Sequence, residues 1–142
     1  MSGFLGSYRH SLDAKGRVSL PAPFRREGGE SFVLIRFHPD ALTLYPRDAW
    51  DDVEEELREM LERRPDFRPW VLRLTGAARD ASLDGQGRIL IPDGLREEVA
   101  LEDEALIVGA LDKIEIWDPE TFDQRTEGTD EEFEELAASI FA

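Results

Sequence analysis

The stretch SLDAKGRVSLPAPFR, residues 11–25, decides how this chain is read, because SLDGQGRILIPDGLR, residues 82–96, repeats its order. The first copy sets out Asp13, Gly16, Arg17, Pro21 and Arg25, and the second sets out Asp84, Gly87, Arg88, Pro92 and Arg96. One such turn says little. Glycine ahead of the arginine allows positive φ or close backbone approach. The aspartate four residues before the arginine either caps the turn or grips the guanidinium. Repetition in register, with proline and arginine following, makes a weak motif strong.

Outward from the motif the likeness continues, since LTLYPRDAW at 42–50 matches IEIWDPETF at 114–122, with one extra residue taken up between. A period this long describes a duplicated module rather than a solenoid. GRVSLP alternates as a strand up to Pro21, APFRREGG is a short helical turn stopped by glycines, and SFVLIRF is a buried strand. HPDA turns the chain into the alternating Leu42 and Leu44. The second copy repeats the plan, so the fold class is mainly β with flanking helices (α+β), a small barrel or sandwich. The expected boundaries are 7–50 for the first module, 51–76 for a helical connector, 78–122 for the second module and 123–142 for an acidic helical segment. Trp50, Val53, Leu57, Met60 and Leu61 form one helical stripe, Phe67, Trp70, Val71 and Leu74 a second, and Phe133, Leu136 and Ile140 a third. Each apolar face needs cover, from the chain's own strands or from another subunit, and the first is favoured.

The 142 residues fit one domain or two small modules sharing a core. Without cysteine there are no disulfides or thiolate metal sites, and His10 and His38 lack ligand spacing. No apolar run approaches a membrane span and no signal-peptide core opens the chain, so a cytoplasmic protein is expected. Carboxylates abound but nothing organises them, so neither an enzyme, a small-molecule substrate, a metal nor a cofactor is expected. The net charge of −15 argues on average against a phosphate-bearing partner. Its distribution argues otherwise. Residues 7–26 hold Arg9, Lys15, Arg17, Arg25 and Arg26 against Asp13 alone, whereas the matching window of the second copy sets three arginines against four acids. The acids crowd into 48–62 and 123–135.

The doubled motif, with LIVGALDKIEIWDPETF near the end, resembles the MraZ family of bacterial transcriptional regulators over nearly the whole chain. The resemblance implies two tandem swapped-hairpin modules of the SpoVT-AbrB type interleaved in one barrel. It further implies a basic surface for double-stranded DNA, a ring-shaped homo-oligomer on repeated promoter boxes, and repression of the chain's own cell-division and cell-wall operon near the nucleoid. The family's Asp-x-x-x-Arg element falls on Asp13 and Arg17, and on Asp84 and Arg88. Arg17 and Lys15 are then the expected main DNA contacts, Asp13 orients Arg17, and Arg9, His10, Arg25 and Arg26 contribute less. Arg88 and Asp84 are expected to serve the barrel or a subunit contact, or to contact DNA more weakly, because Asp80 and Asp93 make the second copy acidic. The alternative is an antitoxin-like or scaffolding protein, with the acidic C-terminal segment as its partner-binding tail.

Overall fold

The computed structural model of the chain describes residues 3–141. The first half runs β1 (Ser7–Ser11), β2 (Arg17–Ser19), α1 (Ala22–Gly28), β3 (Ser31–His38) and β4 (Ala41–Pro46). Then come α2 (Arg47–Arg63), a 3-10 turn (Pro65–Phe67) and α3 (Arg68–Ala77). The second half repeats the order as β5 (Arg79–Ser82), β6 (Arg88–Leu90), α4 (Asp93–Glu98), β7 (Glu104–Gly109) and β8 (Ile114–Trp117), ending in α5 (Pro119–Arg125) and α6 (Asp130–Phe141). Proline explains why β2 is short. Pro21 has no N–H for a ladder, and with ψ at 140° it serves instead as the N-cap of α1. Gly29, at φ 79°, stops that helix by donating its N–H to the Arg25 carbonyl.

The strands are antiparallel and the halves interleave. Six form one sheet in the order β1-β7-β8-β4-β3-β5, and β2 pairs with β6 in a separate ribbon. The first strand of each half therefore lies on the third strand of the other. Registers are self-reciprocal. Leu42 faces Ile116 and Leu44 faces Ile114, while Arg17 faces Leu90 and Ser19 faces Arg88. Exchanging the halves converts each pair into the other, so a pseudo-two-fold passes through Thr43–Glu115 and Val18–Ile89. The second copy is one residue longer between its motif and its last strand, and the hairpins differ accordingly: the β3–β4 register shifts between Ile35 and His38, whereas the β7–β8 register is uniform.

One core serves both halves. Val18, Leu20, Phe24, Leu34, Leu42 and Leu44 pack with Ile89, Ile91, Ile107, Ile114 and Ile116, so the inward side chains of the ribbon close over the sheet. Fully burying each such side chain contributes about 1.5–3 kcal/mol. β3 is covered on both faces, which is why FVLI reads as an unbroken apolar run. Phe32 and Leu34 enter the main core, and Val33 and Ile35 meet Trp50 of α2.

The expectation that the helices pack on their own strands holds for α2 and α3 but not for α6. Trp50 is buried and Val71 of α3 nearly so, and Trp50 Nε1 donates to Glu54 Oε1 at 2.8 Å. α5 is anchored by the Asp118 carboxylate, which accepts from Thr121 N, and by the edge of Phe122 on Trp117. In α6, Phe133, Leu136, Ile140 and Phe141 are 71%, 59%, 64% and 84% exposed. No described helix is long and apolar enough to cross a membrane.

Candidate nucleic-acid interface

Each repeated turn is built by its aspartate. Asp13 Oδ1 accepts from the backbone N–H groups of Lys15 (3.0 Å) and Arg17 (2.9 Å), and its Oδ2 accepts from Arg17 Nε (2.7 Å). Asp84 does the same for Gln86, Arg88 and Arg88 Nε, each at 2.9 Å. The two uses that the sequence left open, capping and gripping, thus occur together. Gly16 and Gly87 close the turns at φ 85° and 75°. A Cβ on Gly16 would lie 2.7 Å from the Ile91 carbonyl oxygen, in the opposite half. Cross-half bonds fix the tips, with Leu20 N donating to Gly87 O and Ile91 N to Gly16 O.

Val18 and Ile89 point inward from the ribbon, so Arg17, Ser19, Arg88 and Leu90 share its outer face. Arg88 Nη1 also lies 3.7 Å from Asp13 Oδ2, placing both guanidiniums on one carboxylate. Hydrogen bonds from the Arg17 and Lys15 backbone and from the Arg17 side chain lower the Asp13 pKa from 3.8 to about 2. The same kind of bonds from Arg88 and Gln86 lower that of Asp84. Both carboxylates are therefore ionised at neutral pH and hold each arginine by Nε. Among the described residues the terminal nitrogens of Arg17 make no hydrogen bond, so its fork remains free to bind.

The interleaving redistributes the other predicted cations. Arg25 donates from Nη1 to Leu20 O (2.8 Å), and its head packs against Gly87, the turn glycine of the other half. A cleft of about 700 Å³ is lined by Arg25 and Arg26 of α1 and by Asp84–Gly87. Two first-half cations thus sit beside the second-half turn. Counting charge half by half, as sequence order invites, misplaces them. Reciprocally, Arg96 packs against Gly16, but its head pairs with Asp93, where the first copy has Ala22.

Arg9 does not join this face. It lies 3.5 Å from Glu104, in a groove also lined by Glu102, Asp103, Asp118, Glu120 and Asp123. His10 is half-buried on β1, opposite Ala105, on the strand face that also carries Tyr8 of the core. Lys15 is exposed at the tip of the first turn. Arg88 stands beside Arg17, both guanidiniums near the Asp13 carboxylate. Ser19 and Leu90 were passed over in the sequence, although the period-two alternation around Val18 and Ile89 marks them as outward. Leu90 is 54% exposed, an apolar side chain between charged ones.

A family model described as "MraZ protein, putative antitoxin-like" matches residues 4–68 and 74–141. The chain is 38% identical over 136 residues to the transcriptional regulator MraZ of Caldanaerobacter subterraneus subsp. tengcongensis, covering 96% of this chain and 95% of that one. It is 38% identical to that of a Thermoanaerobacter species, with the same coverage, and 37% identical over 137 residues to that of Syntrophomonas wolfei, covering 96% of each. Two tandem matches fit the two interleaved halves, and near-complete coverage on both sides carries the relationship across the whole molecule. The chain belongs to the MraZ family, and with its relatives it is a transcriptional regulator rather than an enzyme.

Proposed function

We propose that the chain regulates transcription by setting the outer face of the β2–β6 ribbon against double-stranded DNA. The observation that carries this reading is the pair Arg17 and Arg88, held by Nε on Asp13 and Asp84 on one exposed face. A two-stranded ribbon fits the major groove, where an arginine fork binds guanine O6 and N7. Leu90 offers an apolar contact of the kind a thymine methyl accepts. Lys15 at one tip, and Arg25 and Arg26 beside the other, supply phosphate contacts along the backbone. Arg9 and His10 fall outside the reading face. The pseudo-two-fold of the ribbon then asks for a target with approximate two-fold character.

Such a face meets few phosphates, and each neutralised phosphate contributes a salt slope of roughly 0.9. One chain alone therefore binds weakly at cellular salt. A ring of copies on repeated promoter boxes gains roughly 10² to 10⁴ in avidity. In this reading the protein is a cytoplasmic, nucleoid-associated repressor of its own cell-division and cell-wall operon. Fluorescence anisotropy with the DNA upstream of its own gene, at two salt concentrations, tests it. Arg17→Ala is expected to lose specific binding by about 1–3 kcal/mol, and Arg88→Ala by a comparable amount. Unchanged affinity in both variants overturns the assignment of the ribbon.

A further inference from the structure

The two turns share one ribbon, but their flanks are unlike. Beside the second turn stand Arg25 and the exposed Arg26 of α1, in a cleft that also includes the exposed Ala22 and Glu30. Arg25 is anchored there on the Leu20 carbonyl at 2.8 Å. The pseudo-two-fold carries these positions onto α4. Arg96 answers to Arg25, whereas Glu97 replaces Arg26 and Asp93 replaces Ala22. Arg96 packs behind Gly16 as Arg25 packs behind Gly87, so α4 flanks the first turn. Ile91 is the counterpart of Leu20, yet the bond that Arg96 makes runs to the exposed Asp93 carboxylate instead. Among the described residues its Nε is buried without a partner. One acid in the place of an alanine thus redirects the guanidinium and cancels its charge. Lys15 is left to work beside two acids, while the second turn keeps two arginines.

We propose that Asp93 is a positioning residue that limits the grip of the ribbon on DNA. It ties Arg96 down beside the first turn, so that phosphate contact is concentrated at the second turn, through Arg25 and Arg26. This rests on the ribbon as the DNA-binding face and adds which of its flanks holds the backbone. A cation strengthens binding by displacing counterions from a phosphate, whatever bases lie in the groove. A flank whose cations are already offset by acids displaces few.

Fluorescence anisotropy with two duplexes of equal length, one from upstream of the chain's own gene and one unrelated, tests it over a range of salt. Asp93→Ala is expected to bind both about fivefold more tightly at about 0.15 M salt, the gain from one added phosphate contact, with a salt slope steeper by roughly 0.9. Ala22→Asp, the mirror substitution, is expected to weaken both by a similar factor and to flatten the slope. Asp52→Ala removes the same charge from α2, which packs on the face of β3 opposite the ribbon, and is expected to leave binding unchanged. A folding defect does not imitate this pattern, because it lowers affinity rather than raising it. Asp93→Ala without a gain, Ala22→Asp without a loss, a gain confined to the upstream duplex, or an equal gain in Asp52→Ala overturns the proposal. Arg17→Ala and Arg88→Ala are measured alongside. If both bind as wild type does, the ribbon reading falls; if they lose binding while Asp93→Ala gains none, only the assignment of the flanks falls.

Discussion

At the scale of single residues, Asp13 does more than any other polar side chain described. It caps a turn, grips Arg17 and faces Arg88, and the resulting bonds set its pKa at about 2 against an ordinary 3.8. A carboxyl group with a depressed folded-state pKa stabilises the fold fully above its unfolded value, and that contribution disappears as pH falls through the folded one. For Asp13 the window runs from just above 3.8 down to about 2, and Asp84 shifts in the same direction. Urea denaturation at pH 5 and at pH 2.5 is expected to show the wild type losing more stability on acidification than Asp13→Asn does. Equal losses in the two proteins would mean that the carboxylate does not anchor the turn. Because the amide of the variant lacks charge, its hold on Arg17 weakens as well, and DNA affinity is expected to fall at neutral pH without loss of fold.

Among the elements, α2 shows how one helix becomes part of the sheet. Its stripe begins at Trp50, buried against Val33 and Ile35, with the indole N–H satisfied by Glu54. Trp50→Ala would leave a cavity over β3, at a cost of about 3–5 kcal/mol. Thermal or urea unfolding measures this, and a loss below about 1 kcal/mol would show that α2 is a detachable appendage. The stripe itself was legible in the sequence, as were both turns, the short helices after the prolines and the strand FVLI. All of these rest on local rules of period, proline and glycine. The partner of each strand was not legible. β1 lies on β7 and β3 on β5, and nothing within a ten-residue window distinguishes that exchange from two separate hairpin units. The position of Arg25 beside Gly87 and the acidic surroundings of Arg9 follow from the exchange, so they were hidden too. The stripe of α6 was visible, but periodicity identifies a face and not what covers it.

For the molecule as a whole, interleaving makes the halves interdependent. The segment 1–77 contains β1 to β4, yet within it only the β3–β4 ladder keeps its partner, since β1, β2 and β4 pair with β7, β6 and β8. An isolated hairpin is marginal in water. A lone half therefore cannot fold as a monomer, whereas two identical halves can supply each other's missing strands. The registers permit this because they are self-reciprocal: Leu42 would meet Leu44 of the other copy, as it meets Ile116 here, and Arg17 would meet Ser19. Joining two halves in one chain replaces that bimolecular step with an intramolecular one and removes its concentration dependence. It also lets the copies diverge, so that Asp93 stands where the first half has Ala22 and redirects Arg96. Residues 1–77 expressed alone are accordingly expected to sediment at twice their chain mass, or to remain unfolded, with a midpoint of unfolding that rises with protein concentration. A half that stays monomeric and unfolds cooperatively at a concentration-independent midpoint would contradict the strand exchange on which the shared core and the two-arginine ribbon both depend.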